Sequence, residues 1–421
     1  MKAYLDPATV PAEPPARADM AAATRELHDA IDHNAPYLHP TLRTIQRDLK
    51  SSETVAAWQE AKAAFVLGGD GAWSELPHLY ARYGTGGTAE LIAKLRELEH
   101  AGAALVTDCG MQATALVADA LVQRGGHVVA MRQVYNKTRA FFDASCKRVG
   151  ATLALVDDGD LEALARSLRS ETALVYAETF TNPLGRAQDV PALATLVARA
   201  PTARLVIDST IATPWGVRAP LLELGAHVVV GSLTKALGGR DLALGGYVAT
   251  NDAPFANQLM DLVAMRGGIL DDDRARRVAE HLDTARELHA RRCATAARVA
   301  AALVAHPRIE RVFHPSRPDH PDAAVIARDY VRTGALLGYR VRDADERAHR
   351  ALADRLVSTG VPRFALSFDG LATKVNHHRT VSEYFTPAET VASLGIDRLI
   401  RLGIGLEDAD DLIACLYWSL R

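Results

Sequence analysis

Residues 204–210 read Arg204-Leu205-Val206-Ile207-Asp208-Ser209-Thr210. A short run of Leu, Val and Ile closed by three polar residues fits a buried strand that ends in a loop, because β-branched side chains pack well on a pleated surface and the run is too short for a core helix. Working outward, the same pattern recurs in Ala103 to Thr107, His127 to Met131, Thr152 to Val156 and Ala173 to Ala177, and again in His227 to Val230 and Gly246 to Ala249. Amphipathic segments separate these runs, so the pattern predicts a large α/β domain with a mainly parallel seven-stranded sheet and helices on both faces. Beyond it, residues 274 to about 305 keep helical periodicity and predict a long connecting helix. Strand candidates Leu336 to Val341, Phe364 to Phe368 and Leu399 to Ile404, with helices near 345–358 and 408–420, predict a smaller C-terminal α+β domain. The expected division is an N-terminal extension over 1–75, a large domain over 76–273 and a small domain over 274–421.

Composition sets outer limits on function. The chain has 421 residues, 48% hydrophobic and 24% charged, with a formal net charge of −3. That length exceeds one hydrophobic core, and interspersed charges of both signs give no field to attract nucleic acid or an anionic membrane. Cys109, Cys146, Cys293 and Cys415 form no CxxC pair, which argues against a zinc ribbon or dithiol site and fits reduced thiols in a cytosol. Residues 1–17 contain Asp6, Glu13 and several prolines and do not read as a signal peptide, and no apolar run is long enough to span a membrane. A soluble cytoplasmic protein is the expectation.

The chemistry-bearing residues follow strand ends, where open α/β sheets bind ligands. Asp208 closes one strand, and Gly231-Ser232-Leu233-Thr234-Lys235 closes the next. An aldehyde cofactor needs an amine, a pyridine ring needs a carboxylate beside its nitrogen, and a phosphate needs hydroxyls and backbone amides. Lys235, Asp208, Ser232 and Thr234 supply these groups, although Ser-x-Thr-Lys in isolation is more often a surface lysine. The weight comes from companions. Cys109-Gly110-Met111 stands between a strand and a helix, suited to a phosphate. Tyr135 follows the strand ending at Met131 and suits a stacking role, and Asn182-Pro183 ends a further strand with an amide that suits a ring hydroxyl.

In that order these residues resemble the pyridoxal-phosphate enzymes of cysteine and methionine metabolism, the family of cystathionine γ-synthase, cystathionine γ-lyase and methionine γ-lyase. The resemblance spans about 78–420 and rests on Tyr80-Ala-Arg82-Tyr83-Gly84, Cys109-Gly110-Met111, Tyr135, Glu178-Thr-Phe-Thr-Asn182-Pro183-Leu184, Asp208-Ser-Thr210, Ser232-Leu-Thr234-Lys235 and Arg401-Leu-Gly-Ile-Gly-Leu-Glu407-Asp408. It implies a fold type I, aspartate-aminotransferase-like chain that pairs into a dimer with shared active sites, commonly two dimers to a tetramer. It implies Lys235 as the Schiff-base lysine, Asp208 as partner of the pyridinium nitrogen, Thr210 beside it, and Gly110, Met111, Ser232 and Thr234 around the phosphate. Tyr80 and Arg82 would reach the phosphate of a neighbouring subunit. Tyr135 would stack and assist proton transfer, Asn182 would touch the ring oxygen, and Arg401, with Ser367, would hold the substrate carboxylate. The implied reaction is γ-elimination or γ-replacement on an amino acid with a leaving group at Cγ; the alternative is a cystathionine- or homocysteine-forming γ-synthase or a β-eliminating C–S lyase of the same family.

Departures from the family pattern concern the substrate side. Asn136-Lys137-Thr138 follows Tyr135 where glycine is usual, and Lys137 adds a cation expected near the pocket, suited to an anionic leaving group or distal carboxylate. Gly84-Thr85-Gly86-Gly87-Thr88 replaces the usual continuation after Arg82, Gly239-Arg240-Asp241 replaces a Gly-His pair, and Leu371-Ala372-Thr373-Lys374 replaces Val-Glu-Ser-Leu. An unusual substrate of specialised metabolism is therefore expected. Two other readings carry less: Gly84 to Gly87 as a dinucleotide loop lacks a clean preceding strand, and His377-His378-Arg379 as a metal site lacks a partner carboxylate and reads as a solvent-facing loop.

Overall fold

The computed structural model describes Arg82, residues 84–241 and residues 243–421. Tyr80 and the extension expected over 1–75 lie outside the described residues. Seven strands form the larger sheet: β1 (Ala103–Thr107), β2 (His127–Met131), β3 (Thr152–Val156), β4 (Thr172–Glu178), β5 (Arg204–Asp208), β6 (Val228–Ser232) and β7 (Gly246–Thr250). Their order is β1-β7-β6-β5-β4-β2-β3. Neighbours from β6 to β3 run parallel, and β7 runs antiparallel to β1 and β6. Each apolar run therefore sits on the strand expected of it. Leu205, Val206 and Ile207 of β5 are completely buried among the core residues of β4, β6 and β7, as a central strand covered on both faces requires.

Helices α1 (Gly86–Glu99), α2 (Gly110–Leu121), α3 (Asn136–Val149), α4 (Leu161–Ser167), α5 (Val190–Val197) and α6 (Ala253–Arg266) connect and cover this sheet. Helix α7 (Asp272–Ala305) then runs for 34 residues, started by Asp271, whose side chain accepts the Arg274 amide. The core of the large sheet takes residues of α7 as far as Ala285, and a second core begins at Ala296, so one helix serves both. That second core lies on a five-stranded sheet of β8 (Ile309–Phe313), β9 (Leu336–Val341), β10 (Arg363–Phe364), β11 (Lys374–His377) and β12 (Ile400–Gly403), ordered β10-β11-β12-β9-β8. Helices α8 (Ala323–Asp329), α9 (Glu346–Ser358), α10 (His378–Val381), α11 (Ala388–Ser393) and α12 (Ala409–Ser419) complete the described chain.

Two readings need correction, and a third, set aside on the sequence, finds its explanation. The strand expected over Phe364 to Phe368 is only Arg363–Phe364; after it the chain leaves the sheet, and Asp369 adopts φ 55°. His377 and His378 are buried, not solvent-facing, with His377 Nδ1 2.8 Å from Thr380 Oγ1 where β11 passes into α10. The glycine run at 84–87 is no phosphate loop. Thr85 and Thr88 cap α1 reciprocally, and the Gly87 amide donates to Asp272 Oδ1 at 2.7 Å. A Cβ on Gly87 would lie 2.7 Å from the Asp272 carbonyl oxygen, so the close approach of α1 to the start of α7 requires glycine there.

Candidate active site

The parallel strands deliver their polar ends to one place. Glu178 and Asp208 are register partners at the ends of β4 and β5, and Ser232 ends β6 beside them. A cavity of about 230 Å³ opens over these ends, with Gly110, Met111, Tyr135, Asn182, Asp208, Thr210, Ser232, Thr234 and Lys235 in its wall and Arg401 facing in from β12 of the small domain. Residues scattered over nearly 300 positions of sequence thus meet at the strand ends and at the junction of two cores.

The carboxylates have unequal support. Asp208 Oδ1 accepts the Thr210 amide at 2.8 Å and Oδ2 accepts the Tyr176 hydroxyl at 3.0 Å. Tyr176 in turn lies 3.2 Å from Thr114 Oγ1, so the carboxylate rests on a buried hydroxyl chain. Burial raises the Asp208 carboxyl from its ordinary value, and the Thr210 and Tyr176 bonds counter the rise. Glu178 is raised far more, first by burial and then by the Asp208 charge, against hydrogen bonds it accepts from the backbone amides of Tyr135 and Asn182. Adjacent carboxylates oppose each other's ionisation, and Asp208, with hydrogen bonds from Thr210 and Tyr176, is the better placed of the two to carry negative charge.

Lys235 sits in an irregular turn, Leu233–Leu237, with φ −97° and ψ −131°, so the chain breaks out of helical geometry at the lysine itself. Its Nζ donates to Ser367 Oγ at 2.9 Å and lies 5.1 Å from the Phe368 ring centre. Burial lowers its pKa to about 8, with Asp369 opposing the shift and Arg401 adding to it. Thr210 Oγ1 accepts the Ser232 amide at 3.0 Å, while the Thr234 hydroxyl is engaged with both Gly245 N and O. Helix α2 begins at Gly110 without a side-chain cap, and a Cβ there would meet Ser232 Cβ at 2.9 Å, so only glycine lets the helix start approach this strand end.

Arg401 is 3% exposed, and burial lowers its pKa to about 10. It donates to Asn182 Oδ1 at 3.4 Å, Leu366 O at 2.9 Å and Ser367 O at 3.3 Å, yet its Nε has no partner. A buried guanidinium with an unmet donor and no carboxylate within its bonds is built for an anionic ligand.

Two expected residues stand apart from the cavity. The Lys137 ammonium lies 3.9 Å from the centre of the Phe385 ring, on the exposed side of α3, and takes no part in the cavity wall. Asn136 is buried and donates to the Ser382 carbonyl, and one turn on, Arg139 forks onto Glu383 at 3.2 and 3.3 Å; together they fasten α3 to the 378–386 segment. Arg82 does not line the cavity of its own chain. Glu178, Tyr176 and Phe368 carry no role in the sequence reading. Tyr176 shares a strand face with Glu178, two positions away, and a hydroxyl in an otherwise apolar strand is the signal available for it. Among the described residues no group of three His, Cys, Asp or Glu side chains is placed to hold a metal ion.

These features fit pyridoxal phosphate. The half-buried Asp208 meets only neutral donors and suits a protonated ring nitrogen, the glycine-opened helix faces the strand end carrying Ser232, and Lys235 is a half-buried amine in the same cavity wall. A mainly parallel seven-stranded sheet with this constellation and a smaller second domain defines a fold type I pyridoxal-phosphate-dependent enzyme. Residues 47–421 match the family model described as Cys/Met metabolism PLP-dependent enzyme, and the chain belongs to that family. It is 31% identical over 344 residues to cystathionine gamma-synthase 1, chloroplastic, of Arabidopsis thaliana, a match that covers 81% of this chain and 60% of that protein. It is 30% identical over 353 residues to L-methionine gamma-lyase of Fusobacterium nucleatum subsp. polymorphum, covering 83% and 88%. The solved cystathionine gamma synthase from Xanthomonas oryzae pv. oryzae in complex with cystathionine superposes with a TM-score of 0.76 at 30% identity, covering 81% of this chain and 87% of that one.

Proposed function

We propose that this chain catalyses γ-elimination or γ-replacement on an amino acid carrying a leaving group at Cγ. The observation that carries the reading is the convergence of a half-buried amine, Lys235, a half-buried carboxylate, Asp208, and a buried guanidinium with an unmet donor, Arg401, on one cavity. The cofactor, when bound, supplies an aldehyde for amines and a ring that accepts electron density from Cα. Lys235 would hold the aldehyde and, once displaced by the substrate amine, take the Cα proton; its lowered pKa suits a base near neutral pH. Asp208 would keep the ring nitrogen protonated, with Thr210 bracing it. Gly110, Met111, Ser232 and Thr234 would hold the phosphate, Asn182 the ring oxygen, and Tyr135 would stack on the ring and pass a proton toward the leaving group. Arg401 and Ser367 would receive the substrate carboxylate.

Lys235 and Arg401 are the cationic side chains of the cavity wall among the described residues, and both have tasks. The apolar Leu244 and Leu366 stand at the wall and are 59% and 67% exposed. This supports an uncharged Cγ substituent over the anionic one that Lys137 suggested. The same exposed leucines, with Arg82 away from its own cavity, support a dimer in which each site is completed by the other chain, with tetramers built from such dimers. Among the described residues no helix is long and apolar enough to cross a membrane. All four cysteines are unpaired, which supports a reducing, cytoplasmic setting.

The test offers the cofactor-loaded enzyme a panel of amino acids with neutral or charged β- and γ-leaving groups and separates products by mass spectrometry. Release of a 2-oxo acid with ammonia marks elimination, and a γ-substituted amino acid marks replacement. Turnover confined to β-substituted compounds overturns the γ assignment in favour of a C–S lyase acting at Cβ. Preference for anionic γ-groups overturns the neutral-substituent reading.

A further inference from the structure

Two of the stretches that depart from the family pattern, 239–241 and 371–374, meet in space, and the first is bonded to the backbone of Lys235. Lys374 Nζ is ion-paired with Asp241 Oδ1, and Asp241 Oδ2 accepts the Leu371 amide at 3.1 Å. The pair packs on Gly370, where any Cβ would collide with both Asp241 Oδ2 and Lys374 Nζ. Arg292 of α7, completely buried, donates through Nε to Gly370 O at 3.0 Å and through Nη2 to Gly239 O, so it staples the lysine turn to the loop that presents Ser367 and Phe368. Gly239 N closes the circuit by donating to Lys235 O at 3.0 Å.

Within this frame Asp369 is 1% exposed, holds φ 55°, and leaves Oδ1 without a hydrogen-bond partner; Arg292 Nη1 is likewise unpartnered. Asp241 holds φ 56°. Non-glycine residues in this backbone region are strained and persist only where the surroundings enforce them, and two of them flank the same cluster. A desolvated carboxylate thus stands one residue past Phe368, in the loop whose Ser367 bonds Lys235.

We infer that Asp369, in a loop fixed at Gly370 by Arg292 and the Asp241–Lys374 pair, is a positioning residue that sets the proton affinity of Lys235. The inference rests on the role proposed for Lys235. Asp369 and Asp241 favour its ammonium form, and Arg401 and Lys374 oppose it. Asp369 is itself raised to about 6 by burial against Arg292, Lys235 and Lys374, so it is predominantly charged at neutral pH. After Lys235 has taken a proton, the Asp369 charge stabilises the resulting ammonium ion, alongside the Phe368 ring 5.1 Å away and the Ser367 hydroxyl.

The test uses the full-length protein with Asp369→Asn, which keeps shape and tolerates positive φ, and Asp369→Gly, which also relieves the strain. The first readout is the rate of acylation of Lys235 against pH in protein freed of cofactor, followed by peptide mass spectrometry. Both variants are expected to move the midpoint down by about one unit, giving roughly fivefold faster labelling at pH 7. Lys374→Met is expected to move it up, since it removes a cation and unmasks Asp241. The second readout is the acid limb of the kcat–pH profile of the loaded enzyme, which should move in the same directions. Unchanged midpoints in both Asp369 variants overturn the inference. If those variants do not fold, an unchanged or lowered midpoint in Lys374→Met overturns it instead. Because labelling needs no substrate, a wrong reaction assignment leaves this result standing.

Discussion

Replacing Arg401 by Gln should raise KM about 100-fold while leaving kcat within about threefold. A guanidinium has five N–H hydrogens. Three hydrogen bonds engage it within the chain, to Asn182, Leu366 and Ser367, which leaves Nε and one further hydrogen for a ligand. Two charge-assisted bonds to a substrate carboxylate, at the low end of about 1.5 kcal/mol each, give about 3 kcal/mol, and each 1.4 kcal/mol is a factor of ten in affinity. The low end applies because glutamine keeps an amide for the two loop carbonyls and water enters the space left. The assay is steady-state kinetics with the best γ-substituted amino acid, with inhibition by the matching amine lacking its carboxylate as control. A KM within about fivefold of the parent refutes the reasoning. So does an equal loss of inhibition by the carboxylate-free amine, since that would mean Arg401 shapes the cavity and does not bind the carboxylate.

Gly87→Ala drives a methyl group into the Asp272 carbonyl at 2.7 Å and should cost about 1–3 kcal/mol of stability, read as a lower urea midpoint with unchanged slope. Glu99 is buried beneath Tyr247 and its carboxyl is raised by burial to about 7. The unfolded state therefore loses this proton near pH 4.5 while the folded state retains it to about 7, so stability falls across that interval, by about 3 kcal/mol at most. Glu99→Gln should flatten the fall in urea midpoint between pH 5 and pH 8; an identical fall in both proteins would show that Glu99 is not its source. Lys137→Gly should leave the order of preferred substrates unchanged, since the ammonium rests on Phe385 away from the cavity.

The large domain was legible because its inner strands are buried on both faces and advertise themselves as unbroken apolar runs; β1, β2 and even the partly exposed edge strand β3 coincide with their runs from end to end. The small sheet hides better. In β8 the run Ile309-Glu310-Arg311-Val312-Phe313 exposes its charged pair, and β11 reads Lys374-Val375-Asn376-His377, with no run at all. Phe364 to Phe368 looks like a strand by composition, yet Ser367 and Phe368 turn away from the sheet to meet Lys235, and the bend at Asp369 has no local signature. At the site, strand-end position marked Asp208, Ser232 and Lys235. Sequence adjacency misled for Lys137, because α3 starts at Asn136 and successive helical residues point in different directions. The Asp241–Lys374 pair joins residues 133 positions apart, and nothing in either stretch names the other.

The single helix that serves both cores bears on how the enzyme moves. At 34 residues α7 is about 50 Å long, with its start clamped to α1 through Asp272 and its body stapled by Arg292 to both walls of the site. The two domains therefore share a beam, with no flexible joint at this crossing. Swinging the small domain means bending that beam or shearing the Arg292 bonds, and either stores elastic energy that pushes Arg401 and Ser367 back to where they stand. The helix thus opposes changes in the distance between the amine and the guanidinium, and what fits between those two posts bears on selectivity.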